Sequence, residues 1–305
     1  LQDVIGELEL KEGINVLSLF DGMSCGRIAL ERLGIKIKNY YASEVDKHAI
    51  KVSQHNFPDI IKLGDVTKLK YEAGVLYSEF GEFNCGKIDL LIGGSPCQSI
   101  SNLGKQEGLS GKSGLFYHYL RIKDECAPTN FLLENVVGNK NAIKEISSLL
   151  HTEPALINSN MFSAQNRARL YWTDIKIDEF VDKQIKLTDI LESGLPEDSK
   201  LSIGRLNWIL SEKGKQCINK KYASIDPIKA QCLTARSDAS WNSNYVTRQG
   251  QLSKLTPVEY ERLQTVPDNY TNCVSNSQRY KMLGNGWTVD VIAHILKNLN
   301  KEFDT

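Results

Sequence analysis

The 305-residue sequence lacks a net charge, since 37 Lys and Arg stand against 37 Asp and Glu. Its global balance therefore marks neither a nucleic-acid binder nor a membrane-surface protein. It lacks any apolar run near the roughly 18 residues of a membrane span, and its first residues show no signal-peptide pattern. Its seven cysteines (Cys25, Cys85, Cys97, Cys126, Cys217, Cys232 and Cys273) are odd in number, widely scattered and never spaced Cys-x-x-Cys. That excludes a disulfide framework and a zinc site and fits a reducing compartment. Repeats and low-complexity tracts are also missing. The expectation is an ordinary folded protein of the cytosol, or of a nucleus, with no metal and no membrane partner.

What is present is an alternation of short apolar runs with helical patterns over the first 175 residues, the signature of βαβ units and a parallel sheet. Strands are predicted at 14–20, 39–45, 60–66, 88–94 and 130–136. Helices are predicted from Arg27 to Leu33, closed by Gly34, near Lys47 to His55, and after the fifth strand. From about 176 to 255 the periodicity fades into turn-formers, lysines and scattered aromatics with no clear long helix. This stretch reads as a second, smaller domain. Order returns at "TPVEYERLQ" (256–264), where Thr256, Pro257 and Glu259 spell an N-cap, a first-position proline and a capping box. A last helix is predicted from about Thr288 to Leu299.

Charge is uneven along the chain. Between 200 and 254 ten Lys and Arg face three Asp and Glu, interleaved with Trp208, Tyr222, Trp241 and Tyr245. A basic stretch with few regular elements is a candidate phosphate-binding surface.

In a doubly wound sheet, ligands sit at the carboxyl ends of strands, so the residues that close each strand are the informative ones. The first strand closes on Phe20-Asp21-Gly22, the second on Glu44, the third on Asp65, the fourth on Pro96-Cys97 and the fifth on Glu134-Asn135. Glycines at a strand-to-helix turn let backbone amides approach an anionic group. A carboxylate closing the second strand suits ribose hydroxyls. The pair fits a nucleoside-bearing cofactor, either a dinucleotide or S-adenosylmethionine, although the GxGxxG form is absent from "DGMSCG". A thiol and a carboxylate at two strand ends beside such a loop form a nucleophile-plus-acid arrangement.

These residues carry a family resemblance. "NVLSLFDGMSCG", "SEV", "GDV", "GGSPCQ", "LENV", "QNRARLYW", "LTPVEYERLQTVPDNY" and "MLGNGWTV" occur in the order found in cytosine-5 DNA methyltransferases, and the chain resembles that family over nearly its whole length except about 176–252. Some of this wording is similar to the catalytic domain of animal de novo enzymes, and some to bacterial or phage enzymes. The resemblance implies a Rossmann-like α/β sheet with helices on both faces, formed by 1–175 and 266–305. It also implies a small irregular target-recognition domain at 176–265.

It further implies S-adenosylmethionine as cofactor, leaving S-adenosylhomocysteine as product, held by Phe20, Asp21, Gly22, Met23, Ser24, Cys25, Glu44, Val45, Asp65, Val66, Asn285, Gly286 and Trp287. Cys97 is then the nucleophile, aimed by Pro96, with Glu134 as the acid and Arg169 and Arg167 holding the reacting ring and its loop. Double-stranded DNA is the implied partner. Gln98 and Ser99 are candidates to fill the stack left by a flipped base, and Arg205, Arg236 and Arg248 to contact guanine edges or phosphates. The short variable region points to a short recognition site or to a homodimer that holds the DNA. Methylation of RNA by a sister group, and a silent regulator on the same fold, are the alternatives.

Overall fold

The structure, a computed structural model, describes residues 13–96, 114–220, 223–237 and 243–299. The chain divides into two compact units. The first comprises 1–157, 168–178 and 292–305, and the second 158–167 and 179–291. Besides most of the 176–265 stretch, the second unit contains 266–291 and the short segment 158–167.

The first unit is built on a seven-stranded sheet. Its strands are β1 (Ile14–Leu19), β2 (Ile37–Ser43) and β3 (Ile61–Lys62), followed, after a small separate sheet, by β7 (Leu90–Gly94), β8 (Asn130–Val136), β9 (Ala155–Asn158) and β10 (Ala168–Thr173). Their order is β3-β2-β1-β7-β8-β10-β9. β1 pairs in parallel with both β2 and β7, β7 with β8 and β2 with β3, whereas β10 runs antiparallel to β8. β1 and β7 are mainly apolar and have no exposed position, as strands covered on both faces must be.

The strand order steps outward from β1 to β3 and then reverses through β7 to β8, so the switch point lies between β1 and β7. Right-handed crossovers place α1 (Cys25–Arg32) and α2 (Lys47–Asn56) on one face. They place α3 (Gly114–Cys126), which links β7 to β8, on the other. Leu17, Leu19, Leu91 and Leu133 of the sheet pack with Phe116, Tyr119 and Ile122 of α3 and with Ala142, Ile146 and Leu150 of α4 (Lys140–Leu150). The fit around Tyr119 depends on Gly93. A Cβ there would lie 2.9 Å from the Tyr119 ring and 3.0 Å from the carbonyl of Leu19.

Two elements depart from the sequence reading. The third predicted strand shortens to Ile61–Lys62, because Gly64 turns the chain at φ +73° and Asp65 caps the next turn by accepting from the Thr67 N–H at 2.9 Å. Residues 70–84, unassigned by the sequence reading, form a separate three-stranded antiparallel sheet of β4 (Lys70–Glu72), β5 (Val75–Ser78) and β6 (Gly81–Asn84).

The second unit is more regular than its composition suggests. It contains α5 (Ile203–Leu210), α6 (Glu212–Asn219), a small sheet of β11 (Ser224–Ile225), β12 (Asn244–Arg248) and β13 (Gln251–Lys254), then α7 (Pro257–Leu263) and α8 (Asn276–Asn285). α9 (Val289–Leu296) crosses the boundary between the units. The capping box of α7 is present. Thr256 Oγ1 accepts from the Glu259 N–H at 3.2 Å, and Glu259 Oε2 accepts from the Thr256 N–H at 2.9 Å.

Candidate active site

At the end of β1 the backbone enters the left-handed region three times, at Phe20 (φ 58°), Gly22 (φ 60°) and Ser24 (φ 65°). Glycine takes this conformation without cost, whereas a bulky residue such as Phe20 does so only when its surroundings enforce it, a strain found at ligand-binding turns. The enforcement is a polar network. Asp21 accepts from Ser18 Oγ (2.6 Å), Ser24 Oγ (2.5 Å) and Tyr40 Oη (2.8 Å), and Ser24 Oγ meets Ser53 Oγ of α2 at 2.6 Å.

Glu44, closing β2, accepts from the Gly22 N–H at 2.7 Å and from the Val45 and Asp46 N–H groups at 2.8 Å each. It ties the first two strand ends together. Val45 beside it is 70% exposed, an apolar side chain left to solvent at a strand end. Met23, Ser24, Cys25 and Val66 are buried, so any ligand reaches them through backbone groups. A cavity lined by Asp21, Gly22, Glu44, Ile60, Gly64 and Phe80 opens beside these turns.

Burial pushes Asp21 up from 3.8 to about 6, against its three hydroxyl donors, and the charge of Glu44 adds to the rise. A carboxyl group whose folded pKa lies above its unfolded value favours the fold while protonated. The benefit is full below pH 3.8 and is lost as pH rises through about 6. Asp21→Asn is expected to remove this slope. Because asparagine stays neutral like the protonated carboxyl group, the melting temperature of wild type should fall relative to that of the variant as pH rises through that window, and parallel profiles would show that Asp21 does not titrate there.

The other half of the site lies at the ends of β7 and β8. Gly94 pairs in register with Glu134, and Tyr171 flanks Glu134 on its other side. Arg169 reaches across from β10, with Nε 3.0 Å from Glu134 Oε1, and both side chains are largely withdrawn from solvent. Asn135 Nδ2 donates to Ser95 Oγ at 3.0 Å and to the Ser95 carbonyl at 3.3 Å, which fixes the chain as it leaves β7. Pro96 is exposed, and the residues described next begin at 114. Cys97, Gln98 and Ser99 lie outside the described residues. Among the described cysteines, Cys85 and Cys126 are pushed up to about 11 and about 12 by burial, which keeps them neutral and unreactive.

Two arginines assigned from the sequence act elsewhere. Arg167 is buried in the second unit and donates to the carbonyls of Leu233 (2.7 Å), Gly284 (3.2 Å) and Gly286 (2.9 Å), so it braces a loop instead of facing a reacting ring. Gln264 shares that work, donating to the Leu283 carbonyl at 2.7 Å. Together they hold the carbonyl of Gly286, and Asn285, Gly286 and Trp287 belong to the second unit.

Arg248 was expected at DNA but is 5% exposed, with Nη2 2.6 Å from Glu259 Oε2. Its Nε donates to Ser253 Oγ at 3.0 Å. The basic pattern that suggested a nucleic-acid contact conceals an internal ion pair. Arg248→Ala would strand the carboxylate of Glu259 and is expected to cost about 3–5 kcal/mol of stability in chemical denaturation; a loss below about 1 kcal/mol would contradict this role. Arg236 is exposed and Arg205 partly so. Among the described residues no cluster of His, Cys, Asp or Glu is arranged to hold a metal, and no helix is long and apolar enough to cross a membrane.

A switch-point sheet with a strained glycine turn at one strand end and a carboxylate–guanidinium pair at another defines an α/β enzyme of the methyltransferase type. Comparison with known proteins agrees. Residues 14–247 and 222–301 match the family of C-5 cytosine-specific DNA methylases. The chain is 30% identical to the Type II methyltransferase M1.ScrFI of Lactococcus lactis subsp. cremoris, over 93% of this chain and 77% of that protein. It is 29% identical to the Type II methyltransferase M.HpaII of Haemophilus parainfluenzae, over 97% and 92%. The solved structure of the S. pombe Dnmt2 methyltransferase shares the fold with a TM-score of 0.76 at 19% identity, covering 96% of this chain and 100% of that one. The chain belongs to the C-5 cytosine-specific DNA methylase family and is a DNA cytosine-5 methyltransferase.

Proposed function

We propose that Cys97 and Glu134 carry out covalent catalysis on a cytosine turned out of duplex DNA, with S-adenosylmethionine as the methyl donor. The observation that carries this reading is the Glu134–Arg169 pair, set level with Gly94 and three residues before Cys97. The thiolate of Cys97 bonds to ring carbon 6 while Glu134 protonates ring nitrogen 3. The electron pair released into the ring makes carbon 5 nucleophilic. Once the methyl group is on carbon 5 and S-adenosylhomocysteine is released, loss of the carbon 5 proton to solvent, expulsion of the thiolate and return of the nitrogen 3 proton to Glu134 restore the neutral aromatic ring. Arg169 keeps the Glu134 carboxyl group oriented, and Asn135 steadies the turn before Pro96 by its grip on Ser95.

The residues at the strand ends fit the cofactor. The amides of Asp21, Gly22 and Ser24 are spent on Ser43, Glu44 and Asp21, so the fit rests on Glu44, which suits ribose hydroxyls, and on Asp65 with exposed Val45, which suit a nucleoside. When bound, S-adenosylmethionine supplies an electrophilic methyl group. In the second unit, Arg167 and Gln264 both donate to the carbonyl of Gly286.

Carbon 6 of a stacked base is out of reach, so extrusion of the base costs a few kcal/mol, on the order of one lost stack and pair. Gln98 and Ser99 are the assigned fillers of the gap, and the basic stretch from 200 to 254, with Arg205 and Arg236, the assigned DNA contact. The short variable region keeps a homodimer among the assemblies that hold DNA. Incubation with methyl-labelled S-adenosylmethionine and unmethylated plasmid, followed by base-resolution sequencing, tests the reading. Label on carbon 5 of cytosine within one short sequence is expected; label on transfer RNA with none on DNA would overturn it.

A further inference from the structure

The sheet β4–β5–β6 has no part in the reaction described above, yet it is anchored with care. Leu76 is fully buried, Phe83 packs edge-to-face on Tyr41 at 6.3 Å, and the Tyr71 N–H donates to Glu125 Oε2 at 2.8 Å. Arg121 of α3 donates to the Leu69 carbonyl at 2.8 Å, just before the first of these strands. The β5–β6 turn at the far end is equally fixed. The Phe80 N–H donates to Ser78 Oγ at 3.1 Å, and Ser78 Oγ donates to the Gly81 carbonyl at 3.2 Å.

Glu79 in this turn accepts from the Asp65 N–H at 2.9 Å and pairs with Lys68 at 2.7 Å. It occupies space that only a glycine leaves open, since a Cβ on Gly64 would fall 2.1 Å from Glu79 Oε1. The consequence is that Phe80, next in sequence, is held at the cavity of Asp21, Gly22, Glu44 and Gly64 while remaining 63% exposed. A rigidly presented aromatic ring left in water beside a nucleoside-type pocket is poorly explained by folding alone, because leaving it exposed forgoes the gain of burial.

We infer that Phe80 is a cofactor-binding residue, an aromatic wall against the nucleoside of S-adenosylmethionine supplied by the β5–β6 turn. This rests on the reading of the cavity as the cofactor site. Glu79 and Gly64 act as positioning residues that dock the turn on the end of β3. The occupant follows from the chemistry on the page, in which a ribose-type carboxylate and an exposed aromatic face share one cavity.

Isothermal titration of the full chain with S-adenosylhomocysteine, and separately with adenosine, tests the inference on wild type, Phe80→Ala and Phe80→Trp. Phe80→Ala is expected to weaken both ligands by about tenfold, the loss carried by one base–aromatic stack, with an unchanged melting temperature, and Phe80→Trp to retain wild-type affinity. Equal affinity of wild type and Phe80→Ala overturns the inference while leaving the cofactor site in place. A wild-type protein that binds neither ligand overturns the cofactor reading, and the inference falls with it. Weakening of S-adenosylhomocysteine alone, with adenosine unaffected, also overturns the inference, because the ring would then not face the nucleoside.

Discussion

Cys97→Ala is expected to lower methyl transfer by at least about 10⁴-fold, on the scale seen when a nucleophile is removed from an enzyme whose other groups stay in place. The size follows from the chemistry. Without addition at carbon 6, carbon 5 of cytosine is part of an aromatic ring and too poor a nucleophile to be alkylated, so no neighbouring group compensates. Serine is expected to fare little better than alanine at neutral pH, because a hydroxyl lacks the easily formed anion of a thiol. Binding of duplex DNA and of S-adenosylhomocysteine should survive in both variants, which separates lost chemistry from lost fold. Gel-shift affinity beside single-turnover methyl transfer makes the check, and a residual rate within about a hundredfold of wild type would remove Cys97 from the role of nucleophile.

Glu134→Gln is expected to lower the rate by about 10²–10⁴, the range of a positioned general acid, with little change in KM for the cofactor. Glutamine preserves the shape of the side chain and a hydrogen bond to Arg169, but it has no proton to give to ring nitrogen 3. Arg169 stands 3.0 Å from Glu134 and would keep its place. Alanine would do more, since it also leaves the guanidinium of Arg169 without its carboxylate. The kcat effect with unchanged KM is the signature to measure. A fall of less than about tenfold in single-turnover rate would show that the carboxylate only organises the β8–β10 edge.

The parallel core of the fold was legible because buried strands flanked by helices leave a strong apolar rhythm. "NFLLENV" appears as β8 with unchanged bounds, and "INVLSLF" loses one residue at its end. The strand ends that matter were legible for the same reason, since polar groups such as Asp21, Glu44 and Glu134 interrupt apolar runs at the places where a sheet presents its ligands. The hairpin at 70–84 was not legible. Its strands are three or four residues long, too short for a period, and several of their side chains face solvent.

The roles of Arg167 and Arg248 escaped for a different reason. A charged residue carries no sign of whether its partner is a phosphate or a buried carbonyl, and only the neighbours decide. Arg248 takes the carboxylate of Glu259, a residue that the sequence had already assigned to a helix cap. One carboxylate serves both contacts, and the motif wording around 256–264 shows only the first. The same stretch places Gln264 against the carbonyls of Leu283 and Gly286, so part of the motif that marks the family builds the second unit.

The central claim is a covalent bond between Cys97 and carbon 6 of the target cytosine. DNA carrying 5-fluorocytosine at the methylated position tests it most directly, because fluorine on carbon 5 cannot leave as the proton does and the adduct persists after methyl transfer. Incubation with S-adenosylmethionine, denaturation, proteolysis and mass spectrometry should yield a nucleotide-linked peptide whose modified residue is Cys97, absent when the cofactor is omitted. An enzyme that methylates ordinary DNA at that site, yet forms no adduct with the fluorinated duplex or forms it at another residue, would contradict the account.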